Sequence, residues 1–319
     1  SYTVRISNRV TRLNSENLPA PCIVEVVQWG MTGLNDLNSA FENNYMLKKV
    51  AEDTYGAFSG VYSIDQMFCK CIELESVPER LFDYCRNISY MYETFAYCKK
   101  LHDIPSGLFA RMENLDNMDA VFRNCDSLTD IPQDLFVFNT RLKHMNWVFH
   151  DCNNLVDIPA TLFRNNYHIE SFYGTFDNCD NLKHIPGSLF STNSNARLFE
   201  NTFCNCYSLE NIPAELFRKN RNANNFNATF ANCHQLKEIP TDLFDDNRKV
   251  IYFRDTFSSC HGVEGESPYT IIGEVKYHLY ERHLNPDHFA IPIEYYACFG
   301  GCERLIDYHT EIVPARWGW

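Results

Sequence analysis

A run of the form Phe-x-x-Cys-x-x-Leu-x-x-Ile/Val-Pro-x-x-Leu-Phe begins at Phe68, Phe95, Phe122, Phe149, Phe176, Phe203 and Phe230, each start 27 residues after the last. Seven copies at one period leave little choice of architecture. A single unit is too small to bury its own apolar residues, so the units must stack and cover one another. Weaker copies flank the seven: Phe41 with Asn44, Leu47 and Val50, and Phe257 with Cys260 and Val263. Another, Phe299 with Cys302 and Leu305, arrives after an insertion of 15 residues.

One copy predicts how a coil is built. Ser127 to Ile131 reads as a short strand with Leu128 and Ile131 turned inward. Pro132 stops the strand, because it lacks the N–H a sheet would use and pushes the preceding residue toward extended geometry. Its fixed φ suits the first position of a helical turn, on which Leu135 and Phe136 share a face. Leu142, Met145 and Phe149 then follow at i, i+3, i+7, the spacing of a helical stripe. Strands of successive coils would stack as a parallel sheet, about 4.8 Å apart. The period lies within the roughly 20–29 residues of leucine-rich repeats. The expected fold is therefore α/β: a right-handed leucine-rich-repeat solenoid of 27-residue coils, strands on one side and helical turns on the other, capped at both ends.

The caps follow from the need to cover terminal coils. Residues 1–34 read as an N-terminal cap, with strand-like Tyr2–Ile6 and the apolar run Cys22–Trp29; residues 35–261 are the array. Residues 262–319 break the period. Within them Tyr269–Ile272, Gly273-Glu274 and Val275–Tyr280 predict a β-hairpin, and Tyr295, Tyr296, Phe299, Trp317 and Trp319 are expected to seal the last coil.

Composition removes several functions. A net charge of −13 argues against a phosphate backbone as partner, so no nucleic-acid role is expected. No apolar run reaches the roughly 18 residues of a membrane span. Ser1 opens the chain without a signal peptide, which fits a cytosolic protein or a mature or truncated exported one.

The repeat resembles the BspA-type leucine-rich repeats of bacterial surface proteins, especially arrays rich in Met/Thr-Phe-x-x-Cys-x-x-Leu-x-x-Ile. Val27-Gln28-Trp29-Gly30 is similar to the entry to such arrays in gut Bacteroidetes. Gly265-Glu266-Ser267-Pro268-Tyr269, with His278-Leu279-Tyr280-Glu281-Arg282, is similar to their C-terminal insertion. The resemblance implies export, attachment to the cell envelope, and adhesion or protein binding, and it brings no catalytic residues. The Pro-x-x-Leu-Phe segment departs from the commoner Asp-Leu-Ser version, so no ligand is carried over.

Nine of the 14 cysteines hold one repeat position: Cys71, Cys98, Cys125, Cys152, Cys179, Cys206, Cys233, Cys260 and Cys302. Stacked coils would set neighbours roughly 5 Å apart with parallel Cβ vectors, whereas a disulfide wants Cβ atoms about 3.8 Å apart. The spacing predicts buried free thiols acting as small hydrophobes. The anaerobic habitat that the resemblance implies would keep them reduced. Cys69/Cys71 and Cys204/Cys206 form Cys-x-Cys pairs five coils apart, too far to share a zinc ion.

The sequence holds no Gly-x-Ser-x-Gly elbow, no phosphate-cradling loop and no His-Glu-x-x-His, so no enzyme and no cofactor is expected. His278, His283 and His288, near Glu281 and Asp287, are read as exposed loop histidines more readily than as metal ligands. Asn87-Ile88-Ser89 and Asn227-Ala228-Thr229 match a glycosylation pattern, though Thr229 directly precedes a core Phe. The informative polar row precedes each strand-ending Ile or Val: Ser76, Asp103, Asp130, Asp157, His184, Asn211 and Glu238. Beside it run Glu75, His102, Thr129, Val156, Lys183, Glu210 and Lys237. Such rows are either solvated positions free to vary or a binding face. The expected function is non-catalytic binding of a protein or glycan at the cell surface through the strand side. Asp103, Asp130, Asp157 and His184 are the candidate contacts. The alternative is a spacer that presents another domain.

Overall fold

The computed structural model describes residues 10–13, 23–30, 33–308 and 315–318. Parallel bridges join Tyr90 to Asn117, Asn117 to His144, His144 to Ser171 and so on through Leu198, Asn225 and Tyr252 to Glu294. Up to Tyr252 each coil therefore rests on its neighbour 27 residues away; the last step is longer because the insertion intervenes. Regular elements lie outside this run of bridges. Two-residue strands β1 (Glu25–Val26) and β2 (Lys49–Val50) pair in parallel near the N-terminal end. Strands β3 (Tyr269–Ile272) and β4 (Val275–His278) form the antiparallel hairpin of the insertion, with Gly273 at φ +64° in its turn. A 3-10 turn follows at Leu279–Leu284, and one helical turn, α1, at Ala315–Gly318.

The coil differs from the expected strand-plus-helix unit. Among the described residues most of the bridges fall at His144 and its equivalents, inside the stretch whose spacing suggested a helix. Alternate N–H groups there point to the next coil, while His150 N–H turns back to Trp147 O at 3.2 Å. Met145, Trp147, Phe149 and Asp151 donate to the carbonyls of Ser171, Tyr173, Thr175 and Asp177 at 2.9–3.2 Å. Two residues per coil with positive φ make this possible, Trp147 at 54° and Asp151 at 58° in this copy. A left-handed residue every fourth position interrupts any i→i−4 ladder, yet it leaves Leu142, Met145 and Phe149 facing inward, as a helix would. The expected strand at Ser127–Ile131 contributes only sparse contacts, such as Ser127 N–H to Lys99 O at 3.1 Å and the bridge from Asp157 to His184. The helical turn after Pro132 is a succession of tight turns: Leu135 donates to Pro132, Val137 to Asp134 and Asn139 to Phe136, each at 3.1 Å.

What the coils lack in sheet they make up in stacked side chains. Phe41 and the repeat-start phenylalanines through Phe257 to Phe299 lie ring over ring, with neighbouring centroids 5.5–5.8 Å apart. A second column runs from Phe109 through Phe136, Phe163, Phe190 and Phe217 to Phe244 at 6.0–6.3 Å. The nine repeat cysteines are buried, and each Sγ–H donates to the carbonyl of the repeat Phe of the preceding coil at 3.1–3.3 Å. A further ladder, not anticipated from the sequence, is made by Asn139, Asn166, Asn193, Asn220 and Asn247. Each Nδ2 donates to two carbonyls of the preceding coil, as Asn220 does to Phe190 O at 3.1 Å and Asn193 O at 2.8 Å. These carbonyls already accept a turn N–H, as Phe190 O does from Asn193 and Asn193 O from Ala196, so each ladder amide fills a second lone pair and ties its coil to the one before.

The insertion closes the ladder. The buried Arg282 donates to Asn247 O at 2.9 Å and Phe244 O at 2.8 Å, the two carbonyls that the ladder asparagine of a further coil would take. Its guanidinium lies over Phe253 at 5.5 Å and Phe289 at 4.8 Å. Phe299 and Trp317 are buried in the cap and Tyr295 stacks on Trp317 at 4.8 Å, but Tyr296 is exposed, with Arg254 over its ring, and does not seal the coil. At the other end Trp29 is buried against Phe41 and Phe58 and donates to Ala51 O. Val27 is exposed, so that run is not uniformly inward. Tyr2–Ile6, Cys22 and Trp319 lie outside the described residues.

Candidate functional site

Each coil ends its Cys-x-x-Leu segment with two outward residues before the buried Ile, because Leu128 and Ile131 are both drawn inward by the ladders. Asp103, Asp130, Asp157 and His184 occupy the second of these positions in four successive coils, and all four are exposed. Asp157 and His184 are bridged partners, so they stand directly abreast. Among the described residues Asp103, Asp130 and Asp157 form no ion pair. Asp130 accepts from its neighbour Thr129 Oγ1 at 2.8 Å. In the adjoining row Lys237 pairs with Glu210 at 3.2 Å, so charge there is answered locally.

A second polar surface lies on the bridge side, and sequence reasoning missed it. His150 Nε2 stands 3.0 Å from Asp151 and its Nδ1 3.3 Å from Asp177 of the next coil. Burial alone would lower the His150 pKa, but the two carboxylates outweigh it and raise it to about 9. The same contacts, with an amide bond from Asn178, overcome burial at Asp151 and hold its carboxyl below the ordinary value. Neighbouring carboxylates are likewise engaged. Glu93 accepts from Gln66, Asp119 from the Asn146 backbone and side chain, and Glu200 from Asn225, at 2.8–3.2 Å. The aromatic pair Trp147 and Tyr173 sits on this surface, edge to face at 4.7 Å.

The insertion holds a Ser, a His and an Asp in mutual contact. Ser267 Oγ is 3.0 Å from His278 Nδ1, and its hydroxyl donates to Asp307, as does Tyr280 at 3.3 Å. His278 Nε2 faces Glu266 at 3.3 Å. Ser267 is fully buried and its proton is committed to Asp307, so it cannot present a nucleophile to a substrate. The group ties the hairpin to the last coil. His278 is therefore not the exposed loop histidine that the sequence suggested. His283 bonds Tyr280 O at 2.9 Å beside a cleft of about 360 Å³ lined also by Ile291, Tyr295 and Trp317. Among the described residues no group of three or more His, Cys, Asp or Glu is arranged to hold a metal ion, and no helix is long and apolar enough to cross a membrane. Asn227 is buried with its amide bonded to Glu294 at 3.0 Å, which removes it as a glycosylation acceptor.

No family model and no curated protein sequence matches the chain. Solved structures of leucine-rich-repeat proteins are similar to it at low identity. A chain of the Toll–Spatzle complex of Drosophila is 18% identical over 77% of this chain, with a TM-score of 0.44. This chain spans 28% of that one, and 33% of its counterpart in the glycosylated form. A leucine-rich repeat protein from Bacteroides ovatus is 16% identical over 84% of this chain and 80% of its own, with a TM-score of 0.31. A leucine-rich cell surface protein from Faecalibacterium prausnitzii is 15% identical over 72% of this chain and 88% of its own, with a TM-score of 0.25.

Proposed function

We propose that the protein is a non-catalytic binding scaffold of the bacterial cell surface, which engages a protein or glycan partner along the row Asp103, Asp130, Asp157 and His184. The observation that carries this reading is the contrast between the two polar surfaces. Carboxylates on the bridge side are bonded to cations, amides or backbone N–H groups. The three aspartates of the row are exposed, successive and without an ion-pair partner among the described residues. Stacked coils set them about 5 Å apart. Like charges at that spacing repel by about 1 kcal/mol per pair in a water-like dielectric, less in salt. A cationic group on a partner relieves that repulsion on binding.

The test replaces all three aspartates by asparagine, which keeps shape and removes charge. Partners are first identified by capture of host extracellular proteins and on a glycan array. The variant is expected to fold normally, melt slightly higher, and lose affinity for the captured partner, most clearly at low salt. Undiminished binding by the variant at both low and moderate salt would place the contact elsewhere and leave the row a solvated edge.

A further inference from the structure

We propose that Trp147 and Tyr173 form a platform for a neutral carbohydrate on the bridge side, separate from the aspartate row. The first observation is a departure from the repeat. Every coil sets one residue at positive φ in the column of Trp147, and elsewhere that column holds smaller or unbranched residues such as Ser39, Ala120, Asn201 and Ala228. Trp147 adopts φ 54°, which the coil imposes on this position whatever its residue, and a bulky aromatic is an uncommon choice there.

The second observation is the adjacent coil. Gly174 fills the same column, and a Cβ on it would stand 2.6 Å from Trp147 Cδ1 and 2.8 Å from Nε1. Glycine there leaves the space in which the indole lies, next to Tyr173 at 4.7 Å. Two consecutive exceptions to the pattern therefore cooperate to seat one half-buried indole, whereas Trp29 and Trp317 are buried. No described residue accepts from Trp147 Nε1.

The surroundings select the ligand class. Tyr173 Oη accepts from Asn201 Nδ2 at 3.4 Å and keeps its own proton to donate. Glu200 accepts from Asn225 at 2.8 Å and faces Arg254 at 3.9 Å, and Asp177 faces the protonated His150. Arg254 is shared with Asp255 and Glu294, and His150 with Asp151, so the acids near the rings retain acceptor lone pairs and part of their charge. An indole edged by the Tyr173 ring and bordered by mixed donors and acceptors matches a sugar ring, with a C–H face to stack and hydroxyls to bond.

The full chain is titrated with cellohexaose, xylohexaose, mannohexaose and laminarihexaose, followed by tryptophan fluorescence and calorimetry. At least one is expected to bind with Kd on the order of 0.1–1 mM. The affinity should stay constant from about 50 to 500 mM NaCl, since no net charge is neutralised. The decisive variant is Trp147→Asn. Asparagine suits the left-handed conformation and already occupies this column at Asn201, so the variant keeps its fold and melting temperature while affinity falls at least about tenfold. Gly174→Ala should weaken binding by displacing the indole, and Tyr173→Phe, which keeps the ring, should cost only a few-fold. The proposal fails if none of the four sugars binds at about 10 mM, a hundred to ten times the expected Kd. It fails equally if Trp147→Asn binds like the parent, or if hexa-arginine instead binds in a Trp147-dependent, salt-sensitive way, which would assign the platform to a basic protein.

Discussion

At the scale of single residues, the titration of His150 gives the sharpest expectation. Its pKa stands at about 9 in the folded chain against an ordinary 6.5, because Asp151 and Asp177 favour the charged ring more than burial disfavours it. A raised folded-state pKa contributes stability that is fully present below about pH 6.5 and is lost as pH rises through about 9. The loss should be about 1–3 kcal/mol, since a tenfold change in proton affinity corresponds to about 1.4 kcal/mol and the group is partly solvated. Urea unfolding at pH 6.5 and 9.5 measures it, with His150→Gln as the control that removes this slope. Equal losses in the parent and the variant would mean that the imidazole is not charged by its neighbours. His150 was invisible as a site in the sequence because Asp177 lies one coil away, and only the stacking register brings the two together.

The coil is the next scale, and its stability rests on ladders more than on secondary structure. Arg282 is where this can be tested without disturbing the repeat. Arg282→Met keeps much of the apolar stem but removes the donors to Phe244 O and Asn247 O, leaving Asn247 O unpaired and Phe244 O with only the Asn247 N–H. The bare carbonyl costs about 1–3 kcal/mol and the lost second bond about 1 kcal/mol, offset in part by relief from burying a guanidinium whose pKa is already pushed down to about 9. A net loss of about 1–4 kcal/mol is expected. Hydrogen exchange should show it as fraying confined to the coil at Phe244–Phe253, with the coils near Phe122 unchanged. Uniform loss of protection would mean that the insertion supports the whole array rather than capping its end. The asparagine ladder itself was partly readable, since Asn139 to Asn247 recur at the repeat period. Their role was not, because the carbonyls they bond, such as Phe136 O, lie one coil away and only the stacking register brings an amide to them.

Over the whole molecule, the period and the inward columns were legible in the sequence, because recurrence names the core whatever the backbone does between its members. Leu128, Ile131, Leu135, Phe136, Leu142, Met145 and Phe149 are all buried. The conformation of the connecting backbone was not legible from periodicity, since a helix and a chain of turns with left-handed residues both turn positions 142, 145 and 149 inward. The cue lay elsewhere, in the asparagine before the repeat cysteine at Asn124, Asn178, Asn205 and Asn232, all at positive φ. The aspartate row could be found by recurrence, whereas the Trp147 platform depends on two exceptions in adjacent coils and so escaped a search for repeats. Ladders of buried side chains, reduced thiols among them, join coil to coil alongside the backbone bonds. Thiol titration of the unreduced protein probes those ladders without any substitution. Thirteen described cysteines are unpaired and buried, and burial pushes the Cys69 pKa up to about 12 and the other perturbed thiols higher still. The native protein should therefore react at no more than about one group, Cys22 being outside the described residues, while denaturation without reductant should expose 13 or 14 of the 14. Several fast-reacting thiols in the native state, or a denatured count far below 13 in freshly prepared anaerobic protein, would contradict the stacked coil.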